Sequence, residues 1–253
     1  MSKLIQELQR LYCLPDQKIP AGDCGVGLHL LAADGRVRAM VLGFERAADW
    51  PWVGNLYHGL QDDLELPPPA ISVSGLAGYQ LWLSLADPVP LAQAEDFLEA
   101  LRLRYLADMP SARLKFYPST NCAMVNLVPA FCEASQKWSA FIDPTMGAMF
   151  VEESGLEMAP GRGRQAEMLS GLKSIHVEDF QRVFGVLLAE SAVSDVPPPE
   201  ANFRGTEPGG DKHYADPQNF LLAVMNDPLA SLEYRIEAAK ALLPAFSRSR
   251  VAE

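Results

Sequence analysis

Apolar and polar positions along this chain follow two periods, and the switches between them outline its elements. Leu4, Ile5, Leu8, Leu11 and Tyr12 recur at helical spacing, which predicts a surface helix within residues 1–16. Two apolar runs, 25–31 and 37–45, flank Asp34-Gly35, a dipeptide suited to the positive φ of a tight turn, and so predict a β-hairpin. Helical spacing returns over 49–64 and stops at Pro67-Pro68-Pro69, where amide donors are missing. The β-rich runs 71–74 and 79–85 surround Gly75 and Gly78, and Pro88 and Pro90 are expected to end the second. Leu91, Ala94, Phe97, Leu98, Leu101 and Tyr105 then form one stripe, predicting a helix that lies on a sheet. Short strands are expected at 114–117, 125–128 and 139–142, and helices at 164–173 and 177–190.

The pattern breaks after that. Residues 193–216 carry Pro197-Pro198-Pro199, Gly205, Pro208, Gly209 and Gly210, the composition of a linker. Asp216-Pro217 then reads as a helix cap and first-turn proline, Asp227-Pro228 as a turn, and Tyr234, Ile236, Ala239, Leu242 and Leu243 as the apolar face of a second helix. The expected organisation is an α+β domain over 1–192, a linker over 193–216 and a helical hairpin tail over 217–253.

Composition narrows the function classes. The chain has 253 residues, 49% hydrophobic and 21% charged, which is ordinary for a folded protein. Its net charge of −11 argues against a general nucleic-acid coat and leaves room only for a local site. No run of about 18 uninterrupted apolar residues occurs, and the first helix lacks a signal peptide's apolar core, so the sequence points to the cytoplasm and to no membrane partner. Cys13, Cys24, Cys122 and Cys132 have neither disulfide-scaffold nor paired-knuckle spacing. Reduced thiols are the simpler reading, and a zinc site built from them with a histidine is the other. The common phosphate-loop, dinucleotide, zinc-protease and nucleophile-elbow motifs are absent.

One stretch carries more. Ser72-Val-Ser-Gly-Leu-Ala-Gly-Tyr-Gln-Leu-Trp-Leu-Ser-Leu-Ala-Asp-Pro-Val-Pro, leading into the Leu91 helix, resembles the archaeo-eukaryotic primase superfamily. There a strand, a Ser-Gly turn, a Gly-x-His-Leu-Trp strand and a Pro-Val-Pro-led helix build an RRM-like palm with an antiparallel or mixed sheet. Leu114-Lys-Phe-Tyr-Pro-Ser, Val125-Asn-Leu-Val-Pro and residues 138–143 resemble later segments of the same palm, so the likeness covers about residues 36–145. It implies Glu45 and Asp143 as catalytic and metal-holding carboxylates, with Mg2+ or Mn2+ if catalysis is retained. It further implies Ser74, Gln80, Trp82, Arg113 and Lys115 as nucleotide- or nucleic-acid-binding residues.

Two departures weaken the catalytic side. The family's Asp-x-Asp falls on Gly43 and Glu45, which leaves one carboxylate, and its histidine falls on Gln80, which carries no charge. The resemblance therefore implies a palm whose polymerase activity is impaired or lost. The tail resembles a helical hairpin near the C-termini of bacteriophage terminase small subunits, which implies a mobile-element setting and a replication or packaging partner docked through 217–246. Plain alternatives stand beside each residue: Glu45 as a strand-end acid facing water, Trp82 as core packing, Gln80 as a polar residue on an open face. A non-enzymatic phage adaptor, and an active primase using Asp34, Asp49 or Asp143 beside Glu45, are the other functional readings.

Overall fold

A computed structural model of the chain describes residues 2–14, 17, 19, 27–76, 78–152, 154–194 and Lys240. The chain divides into two units, Met1–Val196 and Pro197–Glu253. Apart from Lys240 the described residues belong to the first unit; the expected linker beyond Ser194 and the expected tail hairpin otherwise lie outside them.

The elements run α1 (Lys3–Tyr12), β1 (Gly27–His29), β2 (Arg36–Phe44), α2 (Trp50–His58) with a π-helical turn after it (Gly59–Asp63), β3 (Ala70–Val73), β4 (Tyr79–Pro90) and α3 (Leu91–Tyr105). They continue as β5 (Leu114–Tyr117), β6 (Met124–Asn126), β7 (Phe131–Cys132), β8 (Lys137–Trp138), β9 (Ala140–Ile142), α4 (Arg162–Ser170) and α5 (Val177–Ser194). This is an α+β fold. Its main sheet has the order β5-β2-β4-β3-β9, with every neighbouring pair antiparallel. Within it, β2-α2-β3-β4-α3-β5 is the split β-α-β-β-α-β arrangement, and β9 is added beside β3.

Side chains alternate across a strand, so each sheet face has its own set. Met40, Leu42 and Phe44 of β2, Ile71 and Val73 of β3, and Leu81 and Leu83 of β4 pack on the core made with Leu56 of α2, Phe97 and Leu101 of α3, and Phe180 of α5. Phe97 and Phe180 meet with ring centroids 4.7 Å apart, which ties α5 to α3. On the other face, Ala39, Val41, Ala70, Trp82 and Phe141 pack against Leu8, Leu11 and Tyr12 of α1 and Ala166 and Leu169 of α4. At the Val37/Ala39 irregularity in β2, Arg38 donates to the Cys13, Arg10 and Leu85 carbonyls and so fastens the end of α1.

Local turn chemistry reads as expected, and β3 pairs with β4 across its glycine turn, but the first expected hairpin is cut short. Gly35 sits at φ +77°, and Ala32 N–H donates to the Arg36 carbonyl at 2.8 Å, so the Asp34-Gly35 turn forms. The hairpin stops after one bridge, Leu31 to Val37, and β1 pairs with β6 instead. β4 pairs along one side of β2 and β5 takes the other over Val41–Phe44, so the expected pairing is limited to that bridge. Pro88 does not end β4, which runs on past the irregularity, with Val89 registered to Val37, and stops at Pro90. The short β7-β8 pair was not expected, and α5 runs to Ser194 rather than 190. Among the described residues no helix is long and apolar enough to cross a membrane.

Candidate functional site

Gly43, Gln80, Trp82 and Lys115 share the face opposite α2 and α3, and Glu45 and Ser74 continue that alternation past the ends of their strands. Register brings part of this set together. Gly43 pairs with Gln80 on one side and Lys115 on the other, and Ser72 follows Gln80 in the same row. Above this row lies an open cavity of about 480 Å³, lined by Gly43, Glu45, Ser74, Gln80, Lys115 and Tyr117 from the sheet end and closed by Asn126, Phe131 and Ser139 from the β6–β9 region. That volume falls in the range of roughly 300–1,000 Å³ usual for small-molecule sites. A second depression of about 700 Å³ near the Asp34-Gly35 turn is lined by Asp34 and by none of the other expected residues.

Polar groups in the cavity are largely committed to one another. Lys115 Nζ lies 3.0 Å from Glu45 Oε1, with both side chains about half exposed. The hydrogen bond to Glu45 is the main reason the Lys115 ammonium is held above the usual lysine range. Ser74 Oγ accepts from the Leu76 and Gly78 N–H groups at 3.2 and 3.0 Å and so shapes the β3–β4 turn, in which Gly75 takes φ +76°. Ser72, fully buried, accepts from the Trp82 indole at 3.0 Å and donates to Gln80 Oε1 at 3.3 Å.

The remaining expected residues lie elsewhere. Trp82 is 1% exposed, its ring 5.1 Å from Tyr12 and 5.8 Å from Phe141, so it packs in the second core and offers no stacking surface. Arg113 forms an ion pair with the fully buried Asp49, and its carbonyl accepts the Glu45 N–H at 3.0 Å. It braces the Glu45 backbone and does not line the cavity. Asp34 serves its own turn by accepting the Arg36 N–H at 3.1 Å.

Asp143 follows β9, three strands from β2, or roughly 14 Å at the usual strand spacing. Ile142 registers through Ile71 and Leu81 with Leu42, so Asp143 continues toward the sheet end away from Glu45. Its carboxylate accepts from Thr145 N–H and Oγ1 at 2.9 and 2.6 Å, bonds that hold it below the usual aspartate range. Glu45 and Asp143 therefore do not share an ion. Among the described residues no three of His, Cys, Asp and Glu gather to hold a metal. The two-metal set of a polymerase palm does not fit this arrangement. Of the cysteines, Cys13 is buried, with its thiol pushed up to about 11, Cys122 is exposed, and Cys132 lines the cavity, its thiol lowered chiefly by the Ser135 side-chain hydrogen bond.

Tyr117, Phe131, Glu133 and Ser139 are cavity residues that sequence reasoning missed. The last three arrive on the β6–β9 stretch, whose position depends on β9 joining the sheet. No protein-family model matches the chain, and no curated protein matches its sequence.

Proposed function

We propose that this chain is a divergent primase-palm-like module of a bacteriophage or other mobile element, which binds a nucleotide or single-stranded nucleic acid and does not polymerise. The observation that carries the reading is the convergence of Glu45, Ser74, Gln80 and Lys115 on one open cavity at the end of the central strands. The strand order supports it as well, being that of an RRM-like palm. The absence of polymerisation follows from Gly43, which leaves Glu45 without a second carboxylate on its strand, and from the remoteness of Asp143.

The acidic total favours a second reading, a non-enzymatic adaptor that recruits a replication or packaging protein through residues 217–246. The net charge of −11 and the pairing of Lys115 with Glu45 leave little spare positive charge for phosphate.

Fluorescence polarisation with a labelled mixed-sequence single-stranded oligonucleotide at low salt separates the two. The first reading expects saturable binding that Lys115→Glu weakens by roughly tenfold, with a shallower salt dependence. An absence of binding to oligonucleotides and to nucleoside triphosphates would leave the adaptor. Primer synthesis on a single-stranded template with Mn2+, abolished by Glu45→Ala, would show the non-catalytic part to be wrong.

A further inference from the structure

The row Lys115, Gly43, Gln80 crosses three adjacent strands, β5, β2 and β4, directly beneath the cavity. With no side chain at Gly43, the floor there is bare backbone, and the Cα atoms of Lys115 and Gln80 stand about two strand spacings apart, roughly 10 Å. A Cβ added at Gly43 would meet Tyr117 Cε2 at 3.5 Å and Lys115 Cβ at 3.6 Å, which are ordinary contacts. The strand therefore tolerates a side chain at this position, and the glycine serves to keep the slot empty. The half-buried ring of Tyr117 stands at its side, an aromatic wall of the kind on which flat rings stack.

The polarity of the slot is set from beneath. The Trp82 indole is a donor only, so Ser72 Oγ accepts from it, and the buried serine proton then needs an acceptor. Among the described residues that acceptor is Gln80 Oε1. With its oxygen turned to Ser72, the amide of Gln80, a residue that lines the cavity, keeps its NH2 group on the side away from that serine. Gln80 thus presents donors. Glu45 and Glu133 outnumber Lys115 around the cavity, which favours a neutral ring in the slot over a multiply charged phosphate.

We infer that the slot over Gly43 is a subsite for one nucleobase bearing a ring carbonyl, which accepts a hydrogen bond from the Gln80 amide while the ring lies against Tyr117. The inference rests on the nucleotide-binding reading above and adds a base preference to it. Adenine, which has no ring carbonyl and accepts only at ring nitrogens within the plane of its fused rings, is the disfavoured base. Ser72 is a positioning residue, acting through Gln80.

The test is fluorescence polarisation of the full chain with labelled oligo-dT and oligo-dA of equal length, with thermal unfolding followed for each variant. The expected result is about tenfold tighter binding of dT, the worth of one well-made hydrogen bond. Gly43→Val fills the slot and removes that difference with the fold intact. Gln80→Glu exchanges donor for acceptor and removes the dT advantage while thermal unfolding is unchanged, a loss that a merely structural role would not produce. Ser72→Ala frees the amide to flip and narrows the preference. Equal binding of both oligomers, or dT binding unchanged in a folded Gly43→Val, would overturn the subsite and leave the proposed function standing. Failure of any oligonucleotide or mononucleotide to bind would overturn both.

Discussion

Gln80 and Trp82 sit two positions apart on one strand and point from the same sheet face, yet the first lines an open cavity and the second is 1% exposed. The strands differ little between these two ends. What differs is the cover: α1 and α4 lie over Trp82, Val41 and Phe141, whereas among the described residues Gly43 and Gln80 face a cavity bordered by the loop-rich β6–β9 segments. A face of one sheet is thus divided by elements from the two ends of the domain into a dry half that stabilises and an open half that can bind. Burial at a strand position is decided by what the rest of the chain brings to it.

That division can be tested by perturbing each half and reading stability and binding separately. The largest loss is expected in the dry half, where Trp82→Ala removes an indole packed on Tyr12 and Phe141 and should cost about 3–5 kcal/mol in urea unfolding. A cost below about 1 kcal/mol would show that α1 does not seal this half. Next comes Asp49→Ala, which strands the Arg113 guanidinium; about 3 kcal/mol is expected, less than for a fully buried pair because the arginine side chain is 25% exposed.

Gln165→Leu is a smaller and more local test. The Gln165 amide accepts from Phe141 N–H at 2.7 Å and donates to Phe141 C=O at 2.9 Å, capping the outer edge of β9 as a further strand would. Leaving those buried groups unpaired should cost roughly 1–3 kcal/mol and speed exchange of the Phe141 amide. In the open half, Lys115→Ala should change stability by less than about 1 kcal/mol, since its partner is half exposed, while weakening oligonucleotide binding. Comparable losses in both halves would erase the distinction.

The smallest effect is electrostatic. The Asp143 carboxylate is held low by Thr145, so the stability it contributes is fully present above the ordinary aspartate range and is lost as pH falls through the lowered value. Asp143→Asn should flatten only that acid limb of the unfolding curve. An unchanged limb would mean that the cap at Thr145 contributes nothing.

Much of the scaffold was legible from local pattern. The 114–117 strand, the helix from Leu91 and the turn at Gly35 follow from residue types a few positions apart, because helix period, strand alternation and positive φ are local properties. Of the site, Glu45, Ser74, Gln80 and Lys115 were legible as candidates and meet at one cavity. Trp82, Arg113 and Asp143 were equally prominent in the sequence, and each is occupied elsewhere in packing, an ion pair or a cap.

The sequence by itself determined where the longer strands and helices form, where the Gly35 and Gly75 turns fall, and which alternate residues share a face. Tertiary structure alone decided that β1 joins β6 rather than β2, that Gln165 completes the edge of β9, and that the Gly43 row stays open while the Trp82 row is sealed. The reason is physical: torsion preferences and side-chain periodicity act over a few residues, whereas exposure and pairing depend on contacts between segments distant in the chain.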